Sequence, residues 1–305
     1  MIRPSEILTR EERQQLTARS DAQAWWLVVQ TWVVILGLLV IAGIFPNPAT
    51  ILLVFLLLPG RQLSLAVLMH EAGHGTLFKT EALNRWVGQY LCALPTFGDL
   101  NSYAAGHLEH HRKAGTDADP DLPNYVAYPV SRESFRRKII RDLTGRTGVK
   151  LLSGIIAGAT GVVGGSRRTG PSLLLQQLAA QGALFATLAV LGVGWTWLLW
   201  FGTFLTTYML VIRLRQIAEH AAVPDLFDVD PRMNTRTVDA PLWQRFLLAP
   251  SYVNFHMEHH FMPGVPCYRL PQLRELLRQK GYLDQTPAFN SYSQVLQAAL
   301  TPASA

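Results

Sequence analysis

Polar and apolar positions segregate along this chain on the scale of whole helices. From Ala22 to Gly60, and again from Thr169 to Ile212, no Asp, Glu, Lys, Arg or His occurs. Each stretch is about twice the ~20 residues that one helix needs to cross a bilayer. Each is also interrupted near its middle, the first by Pro46-Asn47-Pro48 and the second by Gly192-Val193-Gly194. Proline ends a helix and glycine permits a tight reversal, so the pattern predicts two helical hairpins. The four spans are expected near 24–45, 49–69, 173–191 and 195–213. Two weaker apolar stretches, Trp86–Gly98 and the glycine-rich Leu151–Ser166, are short for a span. They are expected to be interfacial or re-entrant helices.

Composition agrees. The chain is 49% hydrophobic and 16% charged, with a positive mean hydropathy. Soluble domains are charged at about a quarter of their positions. The expected fold is an all-α integral membrane protein, a single domain over residues 1–305. Its two transmembrane hairpins carry a helical cap made of residues 70–168 and 214–305. Both hairpin tips are uncharged, whereas Lys and Arg gather in the amino-terminal tail and the cap. That excess marks the cytoplasmic side, so the cap and both termini are expected there. About twenty polar residues, with Arg10, Glu11, Glu12, Arg13 and Arg19, precede the first apolar run, unlike a cleavable signal. Cys92 and Cys267 alone make no disulfide framework.

The nine histidines change the picture from architecture to chemistry. They are His70 and His74; His107, His110 and His111; His220; and His256, His259 and His260. Residues three and four apart share a helix face, so each cluster offers two or three imidazoles to a common point. All lie beyond span ends on one side. Nine ring nitrogens exceed one metal's needs and suit two metals with four or five ligands each. Glu71, Glu109, Glu219 and Glu258 each adjoin a histidine. They are expected to accept the second ring N–H of a bound imidazole and fix its tautomer.

Two other readings compete. His70-Glu71-Ala72-Gly73-His74 matches the zinc-protease pattern His-Glu-x-x-His, but that site leaves six histidines without a role. Metal transporters place ionisable groups near mid-bilayer, where the charge-free stretches offer none.

The order His-x-x-x-His, His-x-x-His-His, isolated His, His-x-x-His-His around two hairpins resembles the membrane fatty-acid desaturase superfamily. The segment Gly115-Thr116-Asp117-Ala118-Asp119-Pro120-Asp121 is similar to the one that trails its second box. Pro263 to Pro271 is similar to the tail of its third box. The resemblance implies a non-haem pair of iron ions held by the nine histidines, with O2 as co-substrate and no other catalytic side chain. It implies that Gln216, a turn before His220, reaches a metal through water. The implied reaction is hydrogen abstraction from an unactivated C–H bond of a lipid, with desaturation of a fatty acyl chain leading. Hydroxylation, oxidative decarboxylation to a terminal alkene, and carotenoid hydroxylation or ketolation are the alternatives. The implied partners are the lipid membrane, the lipid substrate and a separate electron donor, ferredoxin-like or cytochrome-like, since no His-Pro-Gly-Gly motif occurs. No nucleic acid is implied. The basic run Arg132, Arg136, Arg137, Lys138, Arg141, Arg146 and Lys150 suits either donor docking or lipid headgroups.

Overall fold

A computed structural model of the chain describes residues 3–160, 171–284 and 286–301. Four of its helical segments are long and apolar enough to cross a membrane, the fourth, Gly194–His220, being divided into two helices. In the first, α1 (Asp21–Ile44), the Ser20 side chain accepts the Gln23 amide and so fixes the start. Asn47 caps the second, α2 (Pro48–Gly73), accepting the amides of Ala49 and Thr50. Pro48 stands at the first helical position, where its missing N–H costs nothing. The reversal therefore sits at 45–47, as the Pro-Asn-Pro pattern predicts.

At 26 residues, α2 outruns the expected 49–69. Its length of about 39 Å exceeds a hydrocarbon core of about 30 Å. The same helix holds a charge that the apolar pattern hides. Arg61 is 4% exposed, donates to the Phe246 carbonyl at 2.5 Å and lies over the Phe246 ring at 4.0 Å.

The stretch Trp86–Gly98 is not one long helix. It forms a short helix, a π-helical stretch over Val87–Ala93 and a 3-10 turn. This run folds back on α2 so closely that a Cβ on Gly88 would lie 2.5 Å from Ala72 Cβ. Beyond it come α3 (Leu100–Lys113), α4 (Arg132–Leu143) and α5 (Arg146–Thr160). Helix α5 carries most of the second short apolar stretch; the part beyond Thr160 lies outside the described residues.

The second hairpin begins with α6 (Pro171–Val190), and Gly192, at φ +76°, makes the turn. The expected span 195–213 is in fact two helices, α7 (Trp197–Leu205) and α8 (Thr207–His220). They break at Thr206, where φ −117° and ψ −90° are non-helical. Helix α5 packs into that break, so closely that a Cβ on Gly148 would sit 2.5 Å from the Leu205 carbonyl oxygen. Three shorter helices complete the site's surroundings: α9 (Leu242–Leu248), α10 (His256–Phe261) and α11 (Leu270–Gln279).

Exposed apolar side chains crowd the outer faces of the hairpins, among them Val33, Ile41, Leu52, Leu56, Leu175 and Phe185. In water such a surface would be costly; against lipid it is the expected finish. Because the hairpins are antiparallel, α2 and α8 end at the same end of the bundle. There the cap helices gather.

Candidate metal centre

All nine histidines converge at that end. His70 and His74 come from the last turn of α2, His107, His110 and His111 from one face of α3, His220 from the last residue of α8, and His256, His259 and His260 from α10. One ring nitrogen each of His70, His74, His107, His111 and His259 lie within 4.8 Å of one another. His110, His220 and His260 form a second such group. His256 Nε2 stands 2.8 Å from His220 Nε2 and so adjoins the second. His111 and His260 join the two groups, with ring centroids 4.2 Å apart.

The arrangement fits a metal on the chemistry of its nitrogens. His70 Nδ1 donates to Glu71 at 3.0 Å, His110 Nδ1 to Asp119 at 2.8 Å and His220 Nδ1 to the Asn234 carbonyl at 3.1 Å. With the proton on Nδ1, each Nε2 presents a lone pair. The Nε2 atoms of His70, His74 and His260 are buried with no partner. His111 Nε2 lies 2.9 Å from the Nε2 atoms of both His107 and His259. Buried polar atoms are rarely left without partners, and facing lone pairs repel unless a cation lies between them. Burial also pushes the His74 imidazole down to about 3, and those of His107, His256, His259 and His260 well below the ordinary value, reinforced by neighbouring imidazoles. They stay neutral at pH 7, as ligands must.

The four glutamates divide. Glu71 serves the histidine beside it, and its second oxygen accepts from Thr76 and from the Cys267 amide, tying the first cluster to the tail of the third. Held behind the ring, it does not face the centre as a protease base would. Glu219 pairs with Arg215 at 2.6 Å and reaches His256 Nδ1 at 3.6 Å, rather than its neighbour His220. Glu258 is fully buried but bonds Arg274 and Thr237, and so anchors α10 instead of orienting an imidazole. Glu109 is not brought to the centre. It pairs with Arg112 and Lys113 on the outer face of α3, because adjacent helical positions point about 100° apart.

Its place is taken by Asp119, whose carboxylate also accepts from the Tyr125 hydroxyl. Asp119 and the Asn234 carbonyl are partners that adjacency to a histidine does not reveal. Tyr103 and Tyr125 add aromatic support, stacking on His107 at 5.4 Å and on His220 at 4.8 Å.

Two cavities open near this end of the bundle, and the smaller is lined in part by histidines. One, of about 310 Å³, is lined by His107, His110, His220, Asp121, Asn124 and Gln216 among others. Gln216 lines this cavity with the histidines. The other, of about 690 Å³, lies between α3, α5 and α6 and is lined largely by apolar side chains.

Known proteins resemble this chain over the same region. A bacterial dihydrorhizobitoxine desaturase from Bradyrhizobium elkanii is 24% identical over 75% of this chain and 68% of its own length. A sphingolipid delta(4)-desaturase DES1-like protein of Oryza sativa subsp. japonica is 26% identical over 76% of this chain and 65% of its own. A sphingolipid delta(4)-desaturase/C4-monooxygenase DES2 of Bos taurus is 25% identical over 76% and 67%. The chain thus spans about two thirds of the length of these relatives. The family model described as fatty acid desaturase matches residues 46–292, which takes in α2, the second hairpin and all nine histidines. This protein, a membrane oxidoreductase that acts on lipid by desaturation or a related oxidation, belongs to the fatty acid desaturase family.

Proposed function

We propose that the nine histidines hold two iron ions and that the enzyme uses O2 to oxidise an unactivated C–H bond of a lipid, with desaturation as the outcome. The observation that carries this reading is the convergence of nine imidazoles into two adjoining groups, with unpartnered Nε2 atoms turned inward. Imidazole suits iron, zinc, copper and nickel alike, but redox-inert zinc supplies no oxidising power. The chemistry such a pair supplies when bound is hydrogen abstraction at carbon: the substrate gives up two hydrogens, a donor gives two electrons and two protons, and O2 leaves as two waters.

The chain's own residues do the holding and positioning. Glu71, Asp119 and the Asn234 carbonyl keep protons on Nδ1 of His70, His110 and His220, so that Nε2 faces the centre. Burial keeps bulk water from the imidazoles, and Gln216 offers an amide to a water beside the second group. Reaction at carbon then depends on which carbon the cavities bring nearest. Hydroxylation is the second reading, favoured by the bovine relative whose name pairs desaturase with monooxygenase. The basic helix α4, with Arg132, Arg136, Arg137 and Arg141, supports an acidic, separate electron donor and a cytoplasmic site.

The test is metal analysis of purified protein together with O2-dependent product formation from lipid. About two irons per chain and a product two hydrogens lighter are expected. About one zinc per chain and no O2 consumption would overturn the proposal.

A further inference from the structure

Between α8 and α10 the chain runs through a short segment, Asn234 to Val238, that lies almost wholly inside the fold. All five residues are less than 5% exposed. A stretch buried in this way must find partners for its backbone and its polar side chains. Here those partners belong to the two elements that carry His220 and His256.

One end grips α8. The Asn234 carbonyl accepts from His220 Nδ1 at 3.1 Å. Arg236 turns its guanidinium onto the end of the same helix. Its Nη1 donates to the Ala221 carbonyl at 3.0 Å, and at longer range to those of Ala218 and Ile217 at 3.3 and 3.4 Å. Its Nη2 donates to the Ala222 carbonyl at 2.6 Å. The last carbonyls of a helix lack partners within it and carry the negative end of its dipole. A planar cation with several donors meets both needs. The Phe289 ring lies against that guanidinium at 4.4 Å. Ala222 stands at φ +49°, a left-handed conformation that a residue with a Cβ adopts at a cost. Its carbonyl takes the shortest of the Arg236 bonds, so the guanidinium holds the chain in that reversal just after His220.

The other end grips α10. Thr237 Oγ1 donates to the Glu258 carboxylate and accepts the Met257 amide at 3.3 Å. The Val238 amide donates to the Asn254 carbonyl at 3.1 Å, and the Asn254 side chain returns a bond to the Val238 carbonyl at 3.1 Å. His220 and His256 are 36 positions apart in the chain, yet their Nε2 atoms stand 2.8 Å from each other. The segment between them is bonded to both of their helices.

We propose that Asn234–Val238 is a clasp that sets the approach of His220 to His256, and that Arg236 is a positioning residue for the second group of histidines. Among the described residues its hydrogen bonds run to backbone carbonyls, so it acts through the end of α8 and not on an imidazole. This rests on the two-metal reading above and adds the residue that places one of the ligands. Charge and position act in opposite directions here. A guanidinium near a bound cation repels it, so by charge alone Arg236→Gln would tighten metal binding. Loss of the clasp weakens it, because His220 is no longer held in place.

Anaerobic iron(II) titration of the full-length protein in detergent, against a competing chelator, reads the two irons. Arg236→Gln and Arg236→Lys are each expected to weaken one iron about tenfold, about 1.4 kcal/mol, and to leave the other within about twofold. Lysine keeps the charge but cannot reproduce the fork, so the two variants should agree. Thr237→Val, at the other end of the clasp, should weaken the same iron. Arg61→Gln removes a buried guanidinium in the middle of α2. It should lower the melting temperature and leave both irons within about twofold. In a His220→Ala background, Arg236→Gln should cost less than about twofold further, because the ligand it places is gone. Parental or tighter binding in Arg236→Gln overturns the clasp. So does equal weakening of both irons, or full additivity with His220→Ala. If Arg236→Gln does not fold, Arg236→Lys and Thr237→Val decide by the same criteria. A parent protein that binds no more than one iron overturns the two-metal reading, and the clasp with it.

Discussion

Replacing Asp119 by asparagine removes one charge from a buried carboxylate that touches the centre through a single imidazole. The Asp119 side chain is 2% exposed. Its Oδ1 accepts from His110 Nδ1 and from the Asp121 amide, both at 2.8 Å, and its Oδ2 from the Tyr125 hydroxyl. Burial pushes the carboxyl up, but the hydrogen bonds from His110 and Tyr125 outweigh it and hold the group below the usual carboxylate range. It is therefore ionised at neutral pH and favours the proton on His110 Nδ1. Asparagine keeps the volume and can turn its oxygen to His110 and its NH2 to the Tyr125 hydroxyl oxygen, but it removes the negative charge that holds the proton on His110 Nδ1. Losing such a partner typically weakens metal binding 10–100-fold, about 1.4–2.7 kcal/mol. Anaerobic titration of iron(II) against a competing chelator measures this, with circular dichroism to verify helix content. One of the two metals should bind more weakly in Asp119→Asn, with the fold unchanged. Glu109→Gln, whose carboxylate faces solvent between Arg112 and Lys113, should bind both within about twofold of the parent. Parental affinity in Asp119→Asn would refute the argument.

Gly60→Val should lower thermal stability by about 1–3 kcal/mol, read by melting in detergent, because its Cβ would lie 2.7 Å from the Phe246 and Leu247 carbonyl oxygens and force α9 outward. Metal-free protein should lose stability as pH falls from 6.5 toward about 3. Folded His74 stays unprotonated in that window while the unfolded residue binds a proton, so each such imidazole costs about 1.4 kcal/mol per pH unit, and a flat melting profile would contradict it. His220→Ala should lose iron nearly as severely as His107→Ala, whereas Gln216→Ala should keep the metal and lose only part of its turnover. Reporters fused after residues 46 and 193 should lie on one side of the membrane, and those after 80, 125 and 285 on the cytoplasmic side.

The hairpins and the histidines are legible in the sequence because each is a statistical extreme with one cheap physical cause. Forty residues without charge have little use outside a bilayer, and three histidines within five positions have little use away from a metal. The imidazoles' outer partners are not legible, because packing chooses them. Asp119 reaches His110 across a loop, and the Asn234 carbonyl reaches His220 across fourteen positions. Adjacency misleads at Glu109, and at Glu258 it finds a buried carboxylate with a different task. Arg61 escaped the apolar pattern because its guanidinium finds a carbonyl and an aromatic face within the fold. The break at Thr206 has no proline or glycine to announce it. It coincides with α5 wedged against Leu205, a tertiary contact.

That wedge bears on function. Breaking at Thr206 lets α7 pack with the hairpins while α8 takes its own direction toward the histidines. Gly148 brings the start of α5 to the break itself. Helix α5 is then held along the bundle, with Leu151 and Ile155 walling the larger cavity from one side and Leu173 of α6 from another. One kink thus sets two things at once: the approach of His220 to His110 and His260, and the apolar space that ends at Tyr103. Filling the notch with Gly148→Val should therefore disturb both together, weakening metal binding and altering chain-length preference in the same variant. A change confined to either one would separate the cavity from the metal centre and count against this coupling.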